Sequence, residues 1–277
     1  MNDKRMASML PKEKDAQDRF VEYYAEQSAT PETRNRFTAT MNAVKRASER
    51  FGDGRVVKEK CNVIDIGCGA GTQTILWAAA GHRSHGVDIN EGLLDIARKR
   101  SADSMLELDF RKGSAAKIPF ADSSMDVCLA PEVLEHVEEW EKCLDEFSRI
   151  LSPHGIIFIS TSNRLCPYQN EFRLPLYSWY PKSIKRFFVR LAKSSKPQLA
   201  NFAKYPAVNW FTFYELRGQL ATRGFQCYDR FDVMDIQSFS SAKRTLGQLI
   251  RSIRLCRLIA HIGSPSTIVF AIKKAAC

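Results

Sequence analysis

Asn62-Val63-Ile64-Asp65-Ile66-Gly67-Cys68-Gly69-Ala70-Gly71-Thr72 is the stretch around which the remaining 266 residues arrange themselves. A short apolar run that can be buried on both faces predicts a central parallel strand. It ends in three glycines at alternate positions. Thr72 to Ala80 then reads as a helix closed by Gly81. Strand, glycine turn and helix open a nucleotide-binding βαβ unit, in which glycines let a ligand lie against bare backbone.

The spacing of the glycines narrows the ligand. A pyrophosphate site wants G-x-G-x-x-G, whereas this chain has G-x-G-x-G with Asp65 two positions before the first glycine. A carboxylate there repels a pyrophosphate and suits an ammonium or sulfonium group. The next strand, Ser84 to Ile89, contains Asp88, 17 positions after Gly71. An acid in that place accepts the hydroxyls of a ribose.

Further along, Asn90 is placed to cap a helix with Leu93, Leu94, Ile96 and Ala97 on its apolar face, and Leu106 to Arg111 alternates like a strand. Met125 to Ala130 is the next strand. After Pro131 to Val137 comes a helix with Trp140, Cys143, Leu144, Phe147, Ile150 and Leu151 at 3.6 spacing. Pro153-His154-Gly155 reads as a turn and Ile156 to Thr161 as a fifth strand. Five strands separated by helices argue a doubly wound parallel sheet, with ligand across the carboxyl ends of the strands. From Ser162 to about Asn209 this alternation stops in an aromatic, basic, proline-punctuated segment. Thr212 to Arg223 then reads as a helix, Phe225 to Val233 as a strand, Ser241 to His261 as a helix and Ser266 to Ile272 as a last strand.

Asp65, the glycine triplet and Asp88 together resemble the first two motifs of class I S-adenosylmethionine (SAM) methyltransferases. The resemblance implies an α/β fold, a doubly wound and mostly parallel seven-stranded sheet whose seventh strand is antiparallel, and an insertion after strand five over the acceptor. SAM is the implied cofactor. Carried over by position, its contacts are Asp65, Gly67, Cys68, Gly69, Gly71, Thr72, Asp88, Ile89, Ser114, Ala115, Ala130 and Pro131. The family usually has an acid where Ser114 stands, so here a hydroxyl would meet the adenine. Residues 1–55 are then an N-terminal helical lid segment, with helices over 14–28 and 31–51. Residues 56–277 are the SAM-binding domain, with the insertion at about 162–210 and a basic helix at about 241–261. Tyr23, Tyr24 and Arg36 could reach the site from the lid, Arg36 as a clamp on the SAM carboxylate. The plainer alternative is a solvated amphipathic helix pair.

Transfer of a methyl group from a sulfonium to a hydroxyl requires in-line alignment and a base. Glu132-Val133-Leu134-Glu135-His136 follows the fourth strand. His136 is the candidate base, with Glu135 beside it. The run resembles that of ubiquinone and polyprenyl-dihydroxybenzoate O-methyltransferases, which implies Glu132, Glu135 and His136 as ligands of a divalent metal. A structural role for Glu135 and His136 beside the site is the other reading.

Composition bounds the partners. The chain is 44% hydrophobic and 26% charged, which suits one or two globular domains. The charged start shows no secretory signal and no apolar run reaches membrane-span length, so a cytoplasmic protein is expected. The eight cysteines have no C-x-x-C pair and read as reduced core thiols. The net charge of +10 is concentrated: residues 182–257 hold fifteen Lys/Arg against four acids. Two basic amphipathic segments, Lys182–Lys193 and Arg244–Ile259, could therefore meet an anionic membrane on its inner face. Alternatively their apolar faces pack on the core and their basic faces are solvated. The expected acceptor is a small-molecule, lipid-linked or glycan-linked hydroxyl. RNA or an anionic glycan is the second choice, and a SAM-binding module without catalysis is the third.

Overall fold

A computed structural model describes residues 13–168, 172, 174–194, 196, 199 and 206–275. The start of the N-terminal segment, part of the 162–210 insertion, the Lys193 side chain and Cys277 lie outside the described residues.

The chain opens with helices α1 (Glu13–Ala29), α2 (Pro31–Phe51) and α3 (Arg55–Lys58). Thr30 caps α2 by accepting from the Thr33 amide, and Pro31 sits where a missing N–H costs nothing. Then come β1 (Asn62–Ile66), α4 (Thr72–Ala79), β2 (Arg83–Asp88), α5 (Glu91–Asp103), β3 (Asp109–Lys112) and β4 (Met125–Pro131). They are followed by α6 (Trp140–Ile150), β5 (Leu151–Ser162), α7 (Lys182–Ser194), α8 (Phe213–Ala221) and β6 (Phe225–Asp229). The chain closes with α9 (Arg230–Val233), α10 (Ser241–Ser252), α11 (Arg254–Ile262) and β7 (Ser266–Lys273).

The seven strands form one sheet in the order β3-β2-β1-β4-β5-β7-β6, parallel except for β7, which is antiparallel to both neighbours. This is the doubly wound fold that the sequence implies. Alternate residues of each strand face opposite layers. Ile64, Ile66, Cys128, Ala130, Ile157 and Ile159 pack with Leu144 and Phe147 of α6 and Leu216 and Leu220 of α8. Val63, Val127, Leu129, Ile156 and Phe158 pack with Val44 and Ala47 of α2 and with Trp77 of α4. Strand order reverses between β1 and β4, so the crevice opens where these two central strands end.

Local departures from the sequence reading have physical reasons. Pro153-His154-Gly155 is not a turn between elements but an irregularity inside β5: Leu151 pairs with Met125, then the register shifts and Ile156 pairs with Val127. His154 absorbs the extra length in a left-handed conformation (φ 63°). The strand expected over 225–233 stops at Asp229, which caps α9 by accepting from the Phe231 and Asp232 amides. The single helix expected over 241–261 breaks at Ile253, a β-branched residue in extended conformation (φ −109°, ψ 116°). In one helix, Arg251 and Arg257 would lie about 120° apart. The break lets both turn inward, Arg251 to the carbonyls of Phe231, Asp232 and Met234 and Arg257 to the Asp229 carboxylate.

In α7, Lys185 is buried rather than on a solvated basic face. Its ammonium donates to the Ser178 carbonyl at 2.7 Å and lies 4.0 Å from the Trp210 ring. Burial, with Arg164 and Lys182 nearby, pulls its pKa down to about 8. The seven described cysteines are all free thiols.

Candidate active site

The site is built on the end of β1. Gly67 and Cys68 both donate to the Val87 carbonyl (2.7 and 3.1 Å), drawing the turn against β2. All three glycines have positive φ (70°, 52° and 78°), but their surroundings differ. A Cβ on Gly67 would lie 3.0 Å from Val133, and one on Gly71 would lie 2.8 Å from Ala97 and 3.0 Å from Phe110. A Cβ on Gly69 meets nothing within 4 Å. Gly67 and Gly71 are therefore set by protein packing, whereas Gly69 presents bare backbone to the crevice.

Asp88 ties that backbone down. Its carboxylate accepts from the Gly69 amide (2.9 Å) and the Asn90 amide (2.8 Å), and its carbonyl accepts from Gly113 (3.0 Å). Two amides occupy two of about four lone-pair positions, so the group can still accept ligand hydroxyls. Burial raises its pKa, while the Asn90 and Gly69 amides oppose the shift. Next to it Ile89 is exposed, an apolar side chain left open beside a carboxylate. Ser114 and Ala115 form the adjoining loop. The Ser114 hydroxyl is exposed and accepts from the Ala116 amide at 3.2 Å, while the Ala115 side chain is buried.

Three expected contacts are displaced from the open face. The Asp65 carboxylate is buried beneath the turn, where Gln73 Nε2 (3.2 Å) and Thr74 Oγ1 (2.9 Å) donate to it. Burial pushes its pKa up to about 7, against the lowering by those bonds and with added repulsion from Asp88. The Cys68 side chain packs with Leu94, Ala97 and Phe110, leaving only its backbone in the turn. The Thr72 hydroxyl accepts from Arg100 at 3.3 Å. Arg100 also donates to the carbonyls of Ala70 (3.3 Å) and Ala25 (2.8 Å) and to the Ser28 hydroxyl (2.9 Å), fastening α1 to the glycine turn.

Across the crevice lies the end of β4, with Ala130 buried and Pro131 half-buried. Glu132 takes a left-handed conformation (φ 56°), its amide donates to the Ser160 carbonyl, and its carboxylate pairs with Arg36 of α2 at 2.9 Å. Arg36 thus bridges the N-terminal helices to the loop after β4 rather than standing free as a carboxylate clamp. Glu135 and His136 lie on a single 3₁₀ turn, Leu134–His136. Glu135 is buried and accepts from the Thr161 hydroxyl at 2.8 Å, whereas His136 is exposed. Glu132 is exposed and paired with Arg36 whereas Glu135 is buried, and among the described residues no group of three His, Cys, Asp or Glu side chains is placed to hold a metal. The divalent site implied by the E-x-x-E-H run does not fit this arrangement.

Residues that the sequence reading passed over complete the loop. Asn209 donates through its side chain to the carbonyls of Leu134 (3.1 Å) and Val137 (2.7 Å), and the amides of Val208 and Asn209 donate to the Glu135 carbonyl. The end of the insertion therefore holds the loop after β4 in shape. A lone asparagine beside Trp210 carries no sequence signal for this. Gln73 and Thr74, polar positions on an otherwise apolar helix, did carry one. A hollow of about 620 Å³ beside residues 117–121 is lined by none of the glycine-turn residues.

The donor set fits SAM: open backbone at Gly69 and an acceptor at Asp88 for ribose hydroxyls. Residues 64–159 match a family model described as a methyltransferase domain. The ubiquinone biosynthesis O-methyltransferase of Sinorhizobium medicae is 34% identical over 122 residues, 43% of this chain and 49% of that protein. The malonyl-[acyl-carrier protein] O-methyltransferase of Serratia marcescens is 32% identical over 99 residues, 36% of this chain and 37% of that protein. The chain thus spans about half or less of the length of these curated relatives. A SAM-dependent methyltransferase of Thermotoga maritima shares the fold, with a TM-score of 0.51 at 18% identity over 94% of this chain and 99% of that one. Residues 64–159 thus form a methyltransferase domain, and the strand-end site lies within a chain that shares the fold of a SAM-dependent methyltransferase.

Proposed function

We propose that the protein transfers a methyl group from SAM to a hydroxyl of a small-molecule or lipid-linked acceptor, working in the cytoplasm beside a membrane. The observation that carries this reading is the pairing of open backbone at Gly69 and the Asp88 carboxylate with a histidine-bearing turn across the crevice. Oxygen as the acceptor atom is supported by the names of the relatives above, both O-methyltransferases. Bound there, SAM supplies an electrophilic methyl group. Asp88 accepts from the ribose, and Asp65 lowers the potential beneath the cation. The loop after β4, braced by Asn209 and Thr161, orients the acceptor and excludes water. His136, exposed on that loop, takes the hydroxyl proton.

The test is transfer from methyl-labelled SAM to separate lipid, small-metabolite and RNA extracts. Label in the lipid or metabolite fraction is expected. His136→Ala should lower turnover by ~10²–10⁴ with SAM affinity unchanged. Label in RNA alone, or SAM binding with no transfer to any fraction, would overturn the proposal. Full turnover in His136→Ala would remove the assigned base.

A further inference from the structure

The basic helices α10 and α11 are turned the opposite way from a solvated amphipathic pair. The cationic side chains Arg251 and Arg257 point into the protein. Arg251 donates to three backbone carbonyls around α9, and Arg257 is held by the buried Asp229, which also bonds His261. Gly247 is buried against Ile236 and Met234 on the same inner side. The aliphatic stripes therefore face out. Leu246, Leu249 and Ile253 follow helical spacing on α10, and Leu255, Leu258 and Ile259 do so on α11. Leu255 is 65% exposed, Ile259 59% and Leu246 57%. The stripes meet at Ile253, the cap residue shared by both helices. Isolated exposed leucines need no explanation, but a continuous aliphatic face on two successive helices does.

The charges around this face indicate what covers it. Lys243 and Arg254 are exposed and Arg244 half-buried. No Asp or Glu occurs from Ile236 to Cys277. Two copies meeting through this face would set these cations against one another with no acid in the segment to pair them. An apolar face whose own helices carry cations and no acid matches a bilayer with anionic headgroups, where the aliphatic side chains pass below the headgroups and the cations meet them. We propose that α10 and α11 dock the protein on an anionic phospholipid membrane. By contrast, α7 turns Val189 and Ala192 inward along with Lys185 and leaves Ile184 and Phe187 as its exposed large apolar side chains. Among the described residues no helix is long and apolar enough to cross a membrane, so the contact is at the surface. The proposal rests on the reading that the protein works beside a membrane; its failure would remove that location and leave the methyl-transfer chemistry standing.

Co-sedimentation with vesicles of phosphatidylcholine, with and without phosphatidylglycerol, tests it. The wild type should pellet with the anionic vesicles at low salt, and less so as salt rises. Leu255→Gln combined with Ile259→Gln should weaken that binding by at least about tenfold. These are exposed positions, so the melting curve should not move. Lys243→Glu with Arg254→Glu, a second variant that leaves the apolar face intact, should lose the preference for anionic vesicles. Exchanging Arg186, Phe187 and Arg190 on α7 should leave the binding in place. Wild-type binding in both α10–α11 variants, or loss only in the α7 variant, would overturn the assignment. So would a dimer, seen by light scattering, that the glutamines split while vesicles are ignored.

Discussion

Asp65 and Asp88 lie near the carboxyl ends of neighbouring parallel strands, and their surroundings divide the work between them. Asp88 holds the glycine turn and keeps lone pairs toward the crevice, whereas Asp65 is enclosed by Gln73 and Thr74. A carboxyl that titrates near 3.8 in the unfolded chain and near 7 in the fold keeps a proton in the folded state that the unfolded chain releases. Between those values rising pH therefore erodes stability, by up to about 1.4 kcal/mol per pH unit from this one group. Asp65→Asn should remove that contribution. Urea unfolding of both proteins across the window should show the wild type losing ground to the variant as pH rises, and parallel profiles would contradict the assignment. The importance of both acids was legible from their spacing to the glycines, and their different burial was not. Whether Asp65 faces the ligand or the helix depends on the packing of Gln73 and Thr74, which spacing alone does not report.

At the scale of elements, periodicity served well where one face meets the core. The positions Cys143, Leu144, Phe147 and Ile150 of α6 are all buried, as their spacing requires. It failed where distant polar partners decide the orientation. Arg251 and Arg257 find carbonyls and a carboxylate that lie 17 to 28 residues earlier in the chain, so α10 and α11 break and invert. The N-terminal helices depend on a similar distant tie. Arg100 of α5 bonds the end of α1 and the glycine turn at once, beside a small cluster of Ala25, Ala70 and Leu93. Arg100→Ala should cost ~1–3 kcal/mol locally. Hydrogen exchange should report it as faster exchange over residues 21–29, by about ten- to a hundredfold, with β1 and β4 unchanged. Unchanged exchange in that segment would show that α1 is held by packing alone.

Across the whole molecule, the alternating pattern from Asn62 to Ser162 determines the sheet, and the sheet's reversal between β1 and β4 places the crevice. Glycine turn, Asp88, the Gly113–Lys117 loop and the Glu132–His136 turn all follow strand ends, so they converge without any one motif specifying the others. The acceptor side lacks that redundancy. The insertion and the C-terminal helices have an aromatic and basic composition that indicates a surface without its orientation. The central claim is that this convergence binds SAM, and calorimetric titration of SAM into the intact protein and into Asp88→Ala tests it most directly. One site per chain is expected in the wild type. In a variant that still melts cooperatively, binding should be weaker by ~2–4 kcal/mol, the loss of charge-assisted hydrogen bonds to the ribose. No binding by the wild type, or equal affinity in Asp88→Ala, would contradict the account.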